Sequence, residues 1–450
     1  MFQHFNHQDT IVALSSPNGV GAIALIRVSG THTYSLVKQV FKGKDINPSK
    51  DTKIYYGHLL DGEQQIDEVC IACYWAPKSY TKEDCVEITC HGSLYIQRKI
   101  ISLFIRLGAR LALPGEYTQR AFLNGRFNLL QAEAVADVIA SESEAQLQLA
   151  LHQLKGGVSN QLKTMRTQLI DLTSLLELEL DFGEEDVEFA DRQQLYNTTQ
   201  NIILEIQQLS DSFQYGNAIK NGIGVAIIGP PNVGKSTLLN NLLKDDKAIV
   251  SDIAGTTRDV IEDSIVIEGI LFRFIDTAGI RNTDDYVESL GIQRSKIMMN
   301  KAQIVIILYD DLVPKENIEE ILSEVQQINK PYLLVKNKSD VSSQKIFDGE
   351  LSISALKNIE VATLQQKLIE ISGTHVSPLD VTVSNIRHYE ALLKAAESLN
   401  RVLEGLLSGL TLELIAQELR TGIYYIGSIT GEVTPDDILG NIFSKFCIGK

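Results

Sequence analysis

Cysteine is scarce: five in 450 residues are too few for a cross-linked scaffold of the secreted kind. Four of them, Cys70, Cys73, Cys85 and Cys90, stand near His91 and invite a zinc reading. The spacing opposes it, because both segments read as strands, and residues three or five apart on a strand point to opposite faces. Buried packing is the expectation for all four. Long apolar runs are missing as well. The longest, around Ile304 to Leu308 and Val225 to Ile228, are strand-sized and far short of a membrane span. The first residues carry neither a basic n-region nor an apolar stretch, so no signal or transit peptide is expected and the chain reads as cytoplasmic, with no membrane partner. There is no internal repeat and no low-complexity tract. Positive charge is in deficit: 41 basic against 57 acidic residues leave a net charge of −16, which argues for solubility and against indiscriminate nucleic-acid binding. The interval Arg98 to Arg126 departs from that balance, with six Lys/Arg and one acid, Glu116. A positive surface and ordinary scattered cations are both open readings there.

What the chain does carry begins at Gly229. Gly229 to Ser236 read Gly-Pro-Pro-Asn-Val-Gly-Lys-Ser, after the apolar run Gly224 to Ile228 and before the helix-like Thr237 to Asn240. That is a phosphate-binding loop in its proper context. Its glycines let successive N–H groups point inward, Lys235 reaches the outer phosphates and the Ser236 hydroxyl can ligate magnesium. Asn232, Val233, Gly234, Lys235, Ser236 and Thr237 are the first candidate nucleotide contacts. A second strand, Leu271 to Ile275, ends on Asp276, Thr277, Ala278 and Gly279, and such an Asp can hold the magnesium shell. A third, Tyr332 to Val335, leads to Asn337, Lys338, Ser339 and Asp340. Asp340 offers two acceptors to the N1–H and 2-amino group of guanine, which adenine lacks, so the nucleotide is expected to be GTP. Ser354 and Ala355, with Leu356, make a second wall for the base.

The catalytic side has a gap. Ras-like hydrolases place a water-orienting Gln directly after the Asp-Thr-Ala-Gly segment, and here that place is Ile280. Asp284 to Glu288 offer carboxylates nearby, and Arg258 and Arg281 are arginine-finger candidates by position alone. Ser251 to Asp259 is rich in small and hydroxyl residues, and Thr257 is placed to complete the magnesium shell when the γ-phosphate is present.

Length alone implies two or three domains. Short β-like runs alternate with helix-like stretches over residues 1–121, an α+β pattern. Apolar residues then recur at three- and four-residue spacing over 122–218, and again over 379–450. Between them, 219–378 holds the nucleotide motifs. The fold class is therefore multidomain α/β: an N-terminal α+β domain, an all-helical domain, and a Ras-like P-loop domain with a parallel sheet inserted into it.

Further motifs carry a resemblance. Pro114 to Arg126 (Pro-Gly-Glu-Tyr-Thr-Gln-Arg-Ala-Phe-Leu-Asn-Gly-Arg), then Leu130 to Ala134, then Ile429 to Glu432 and the closing Cys447-Ile448-Gly449-Lys450, resemble the MnmE (TrmE) family of tRNA-modifying GTPases over the whole chain. The resemblance implies a homodimer that joins an MnmG-type flavoprotein in a heterotetramer. Together they would build an aminomethyl-type group on carbon 5 of the wobble uridine of certain tRNAs, with one carbon from a 5,10-methylene or 5-formyl tetrahydrofolate and FAD supplied through the partner. It also implies a folate site in the N-terminal domain, which serves in dimerisation too, at Arg27, Glu87, Arg126 and the terminal Lys450. Arg126 stands where the family has Lys, and Asn128 where it has Asp. By the same resemblance potassium replaces an arginine finger, held by Asn232 and by oxygens of Ser251, Ile253 and Thr256, and Glu288 orients the attacking water. Cys447 is either a nucleophile or a packed thiol. The competing class is a GTP-switch protein for ribosome or RNP assembly, which would need neither a folate pocket nor a Cys-Ile-Gly-Lys end.

Overall fold

The computed structural model describes residues 9–47, 52–181, 191–246, 263–275, 296–342, 345–373, 382–433, 436–444, 446 and 449. The chain divides into two compact units. Met1–Ile139, Gln153–Ile203 and Lys394–Lys450 form one, and Ala140–His152 with Leu204–Leu393 form the other.

In the first unit a seven-stranded sheet is built from β1 (Ile11–Leu14), β2 (Ile23–Ser29), β3 (Phe41–Gly43), β4 (Lys53–Asp61), β5 (Gln64–Tyr74), β6 (Cys85–His91) and β7 (Arg110–Leu111). Their order is β3-β4-β5-β6-β2-β1-β7. Neighbours run antiparallel except β1 with β7. Alternation along β5 sends Val69, Ile71 and Cys73 into the core and Cys70 to solvent, as the two-residue side-chain period requires. Helices Thr33–Val40 and Leu94–Arg106 supply Val37, Ile100 and Phe104 to that core. Each such buried side chain contributes about 1.5–3 kcal/mol of transfer free energy.

The same unit contains helices that lie far apart in the chain. Gly157–Asp181 buries Leu162, Met165, Leu169, Leu172 and Leu176, a three- and four-residue stripe, and it packs against Leu412–Thr430. Arg420 donates to Glu177 at 2.6 and 2.8 Å, and Arg166 pairs with Glu432. The polypeptide thus leaves this unit and returns to it.

The second unit holds β8 (Ile223–Ile228), β9 (Asp263–Ile267), β10 (Ile270–Phe274), β11 (Ile304–Tyr309), β12 (Tyr332–Lys336) and β13 (Leu351–Ser352), in the order β13-β12-β11-β8-β10-β9. All pairings are parallel except β9 with β10. Every residue of β8 and β11 is buried, as central strands covered on both faces must be. Two distant stretches of this unit meet: the Val383 amide donates to Ser212 Oγ at 3.0 Å, and Phe213 stacks on Tyr389 with ring centroids 4.4 Å apart. Among the described residues no helix is long and apolar enough to cross a membrane.

Candidate functional site

Ligands of open parallel sheets bind beyond the carboxyl ends of the strands, and β8, β11 and β12 end side by side. After β8 the backbone turns at Gly229, φ 148°, where a Cβ would lie 1.9 Å from the Leu308 carbonyl oxygen. It turns again at Asn232, φ 61°, and at Gly234, φ 98°, before the helix Lys235–Asp246 begins. A Cβ on Gly234 would stand 2.3 Å from Asn337 Nδ2. These close approaches fix glycine at both ends of the loop and leave a helix N-terminus open, a site suited to phosphate. Lys235 Nζ donates to the carbonyls of Gly229 and Pro230 at 2.7 and 2.8 Å. Burial lowers its pKa below the usual lysine value, so an arriving anion would stabilise the ammonium form.

The loop after β12 is tied to this cradle by its own side chains. Asn337 Nδ2 donates to the Val233 carbonyl at 2.8 Å, and its Oδ1 accepts from the Ala355 amide at 2.9 Å. Lys338, at φ 64°, donates to the Asn232 carbonyl at 3.0 Å and to Asp310, which ends buried beside β11. Asp340 is paired with Lys357 at 3.3 Å. The Ser354 hydroxyl, then Lys357, hold its carboxyl below the ordinary range, so it is an anion at neutral pH. The structure therefore brings Asn232, Val233, Gly234, Lys235, Ser236 and Thr237 at the start of the helix together with Asn337, Lys338, Asp340, Ser354 and Ala355. Asp310 is a member that sequence reasoning missed; its signal was an Asp at the end of a fully apolar strand.

A second concavity, of about 570 Å³, lies in the other unit. Arg27 on β2 and Glu87 on β6 are direct cross-strand partners, close enough for their side chains to meet. Arg27 Nε and Nη2 donate to Glu87 Oε1 at 3.0 and 2.7 Å, and Nη1 donates to the Gly449 carbonyl at 3.4 Å. Gly449 is locked there: at φ 98° a Cβ would lie 2.0 Å from the Leu14 carbonyl oxygen, and Ser15 Oγ donates to the Gly449 carbonyl at 2.9 Å. Across the pocket Arg126 donates to the Ser79 carbonyl at 2.9 Å, and its guanidinium lies 4.9 Å from the ring centres of both Tyr80 and Phe127. The Arg27 guanidinium stands 5.1 Å from the centre of the same Tyr80 ring, so two cations share one aromatic. Arg27, Glu87 and Arg126, proposed together from sequence, line one pocket.

Among solved structures, Era in complex with MgGDPNP and a segment of 16S ribosomal RNA aligns with 39% of this chain and 66% of its own, at 27% identity and a TM-score of 0.26. A sequence profile described as GTP-binding protein TrmE N-terminus matches residues 10–126, and one described as MnmE helical domain matches residues 129–447. Relatives named tRNA modification GTPase MnmE are 49% identical in Flavobacterium johnsoniae, over 99% of this chain and 100% of theirs, and 51% identical in Parabacteroides distasonis, over 98% and 100%. The chain belongs to the MnmE family.

Several expectations for this MnmE-family chain fall outside the described residues: Ser251, Ile253, Thr256, Thr257, Asp276, Thr277, Ala278, Gly279, Glu288, Cys447 and Lys450. One other is corrected, and one open choice is narrowed. Cys70 is exposed, whereas Cys73, Cys85 and Cys90 are buried, because β5 turns even-numbered residues outward at that point. The interval Arg98 to Arg126 does not present its cations together. Arg110 and Arg120 are consumed by an internal network: Arg110 grips Glu116 at 2.6 and 3.0 Å and Asp9 at 2.8 Å, while buried Arg120 reaches Asp9, Glu83 and Glu116. Arg106 pairs with Asp61. Tyr80 was not foreseen; a Ser-Tyr-Thr-Lys run between two strands gave no distinguishing pattern.

Proposed function

We propose that this chain is a cytoplasmic, potassium-activated GTPase that modifies tRNA. As a homodimer joined to an MnmG-type flavoprotein, it would install an aminomethyl or carboxymethylaminomethyl group at carbon 5 of the wobble uridine. The observation that carries this reading is the presence, in one chain, of a glycine-bracketed phosphate-type loop tied by Asn337 to the loop that carries Asp340, and of a separate pocket where Arg27, Glu87 and Arg126 converge. A switch protein for ribosome or RNP assembly has use for the first and none for the second.

In this reading Lys235 and the loop amides bind the phosphates, Ser236 and Thr257 hold magnesium, and Asp340 selects the base. Asn232, already in the left-handed conformation that exposes its amide side chain, is placed to hold potassium with Ser251, Ile253 and Thr256. The two cations, when bound, neutralise charge on the phosphates. Glu288 orients water where Ile280 cannot. In the second pocket, Glu87 accepts the amide edge of a pterin, Arg27 holds Glu87 in place, and Arg126 with Lys450 meets the carboxylate tail. Tetrahydrofolate supplies the one-carbon unit, and FAD comes with the partner.

GTP turnover in potassium against sodium at equal ionic strength tests the hydrolytic half. Stimulation by potassium that is lost in Asn232→Ala, with Glu288→Ala binding GTP yet failing to hydrolyse it, is the expected result. Equal turnover in both salts, or full activity of Glu288→Ala, contradicts it.

A further inference from the structure

The folate-type pocket is lined by more positive charge than its ligand reading has used. Lys78 and Lys82 stand in its wall with Arg27 and Arg126, against one carboxylate, Glu87. Glu87 is already matched by Arg27 through two hydrogen bonds to one oxygen. Net positive charge therefore gathers at the Lys78, Lys82 and Arg126 end, in a chain whose net charge is −16. Of the neighbouring acids, Glu83 is matched by Arg120 and accepts from Ser29, and Asp84 accepts from the Ala76 amide; neither lines the pocket.

This cationic end is built. Lys82 adopts φ 59° and donates to the Gly125 carbonyl at 2.8 Å, Asn124 Nδ2 donates to the Thr81 carbonyl at 2.7 Å, and Arg126 donates to the Ser79 carbonyl at 2.9 Å. Three bonds thus fasten the loop after β5 to the turn that carries Arg126. Tyr80 between them is held through Thr118 at 2.8 Å. A pocket of about 570 Å³ matches a small molecule, within the roughly 300–1,000 Å³ usual for such sites.

We propose that Lys78, Lys82 and Arg126 form a subsite for a chain of consecutive carboxylates, so that the pocket selects folates with several glutamates over those with one. The proposal rests on the folate reading above and adds the class of folate and the two lysines. A nucleic-acid phosphate is the lesser fit, since these cations line the same concavity as Glu87.

Binding of tetrahydrofolate monoglutamate and triglutamate to the purified 450-residue protein by calorimetry tests it. Exposed ion pairs contribute roughly two- to fivefold each, so the wild type should prefer the triglutamate by about tenfold. In Lys78→Gln/Lys82→Gln, checked for an unchanged melting temperature, that ratio should shrink to within about twofold. High salt should narrow the ratio in the wild type as well, which needs no variant. Equal wild-type affinity for the two ligands overturns the subsite while leaving the folate reading intact. A preference that survives in the double variant, with tRNA affinity reduced instead, reassigns the lysines to RNA and also overturns it. Failure of the wild type to bind either ligand overturns the folate reading itself.

Discussion

Gly234 and Asn337 cannot change independently, because a side chain at the first would collide with the amide that ties the β12 loop to Val233. Asp340 makes no such structural bond to the phosphate loop, so it can be altered while the cradle survives. Asp340→Asn should lower GTP affinity by about a hundredfold, the loss of charge-assisted hydrogen bonds at roughly 1.5–3 kcal/mol each. It should admit xanthosine triphosphate, whose 2-carbonyl suits an amide donor. Competition binding with both nucleotides checks this, and unchanged preference for GTP would remove Asp340 from the base pocket. Glu116 belongs to a different class of residue. Burial pushes its carboxyl up, but Arg110, the Leu113 amide and Arg120 outweigh that and hold it below the usual range. Asp9 is likewise lowered against burial by Arg110 and Arg120. Groups with depressed folded values contribute stability above their unfolded pKa, near 4, and lose it as pH falls through the folded one. Thermal melts of the wild type should therefore show the N-terminal unit weakening from about pH 4 downward. Glu116→Gln should cost about 3 kcal/mol or more at neutral pH, since it strips a partner from buried Arg120. A flat melting temperature in the variant would contradict the network's role.

At the scale of elements, strands were legible wherever burial was one-sided or complete. The apolar runs of β8, β11 and β12 gave their positions within a residue or two, and the motifs after β8 and β12 marked the ends that face the site. Strand β4 was not foreseen. Its sequence mixes exposed Ile54 and Tyr56 with buried Tyr55 and Leu59, so neither face reads as apolar. The same lack of contrast misplaced Cys70, which shares β5 with buried Cys73. Burial raises the thiols of Cys73, Cys85 and Cys90 to about 11, 12 and 11, and thiolates, not thiols, react. In a Cys447→Ser background, Cys70 should be alkylated fast in the native protein and the other three slowly. Peptide mapping by mass spectrometry reads the order, and comparable labelling at Cys73 would place the strand in the wrong register. The site residues divide by the same logic. Arg27, Glu87 and Arg126 lie far apart in sequence, and spacing alone could not join them; the register of β2 with β6 joins the first two, and the bond to the Ser79 carbonyl brings in Arg126. Lys82 and Tyr80 had no pattern to announce them, since their role depends on a loop fastened across to Gly125 and Thr118.

For the whole molecule, the consequence of this architecture is separation of labour. The GTP-type cradle sits in the unit formed by Ala140–His152 and Leu204–Leu393, and the folate-type pocket sits in the other. In the proposed function both serve one reaction on tRNA. The most direct measurement is nucleoside analysis by mass spectrometry of tRNA incubated with this chain, an MnmG-type flavoprotein, GTP, potassium and methylene-tetrahydrofolate. Wild type should yield a 5-aminomethyl-type uridine, and the product should disappear in Arg27→Ala, which leaves the nucleotide cradle untouched, and in Lys235→Ala, which leaves the folate pocket untouched. Undiminished product in Arg27→Ala, or none with wild type while GTP is turned over, would contradict the account and favour a switch without chemistry on RNA.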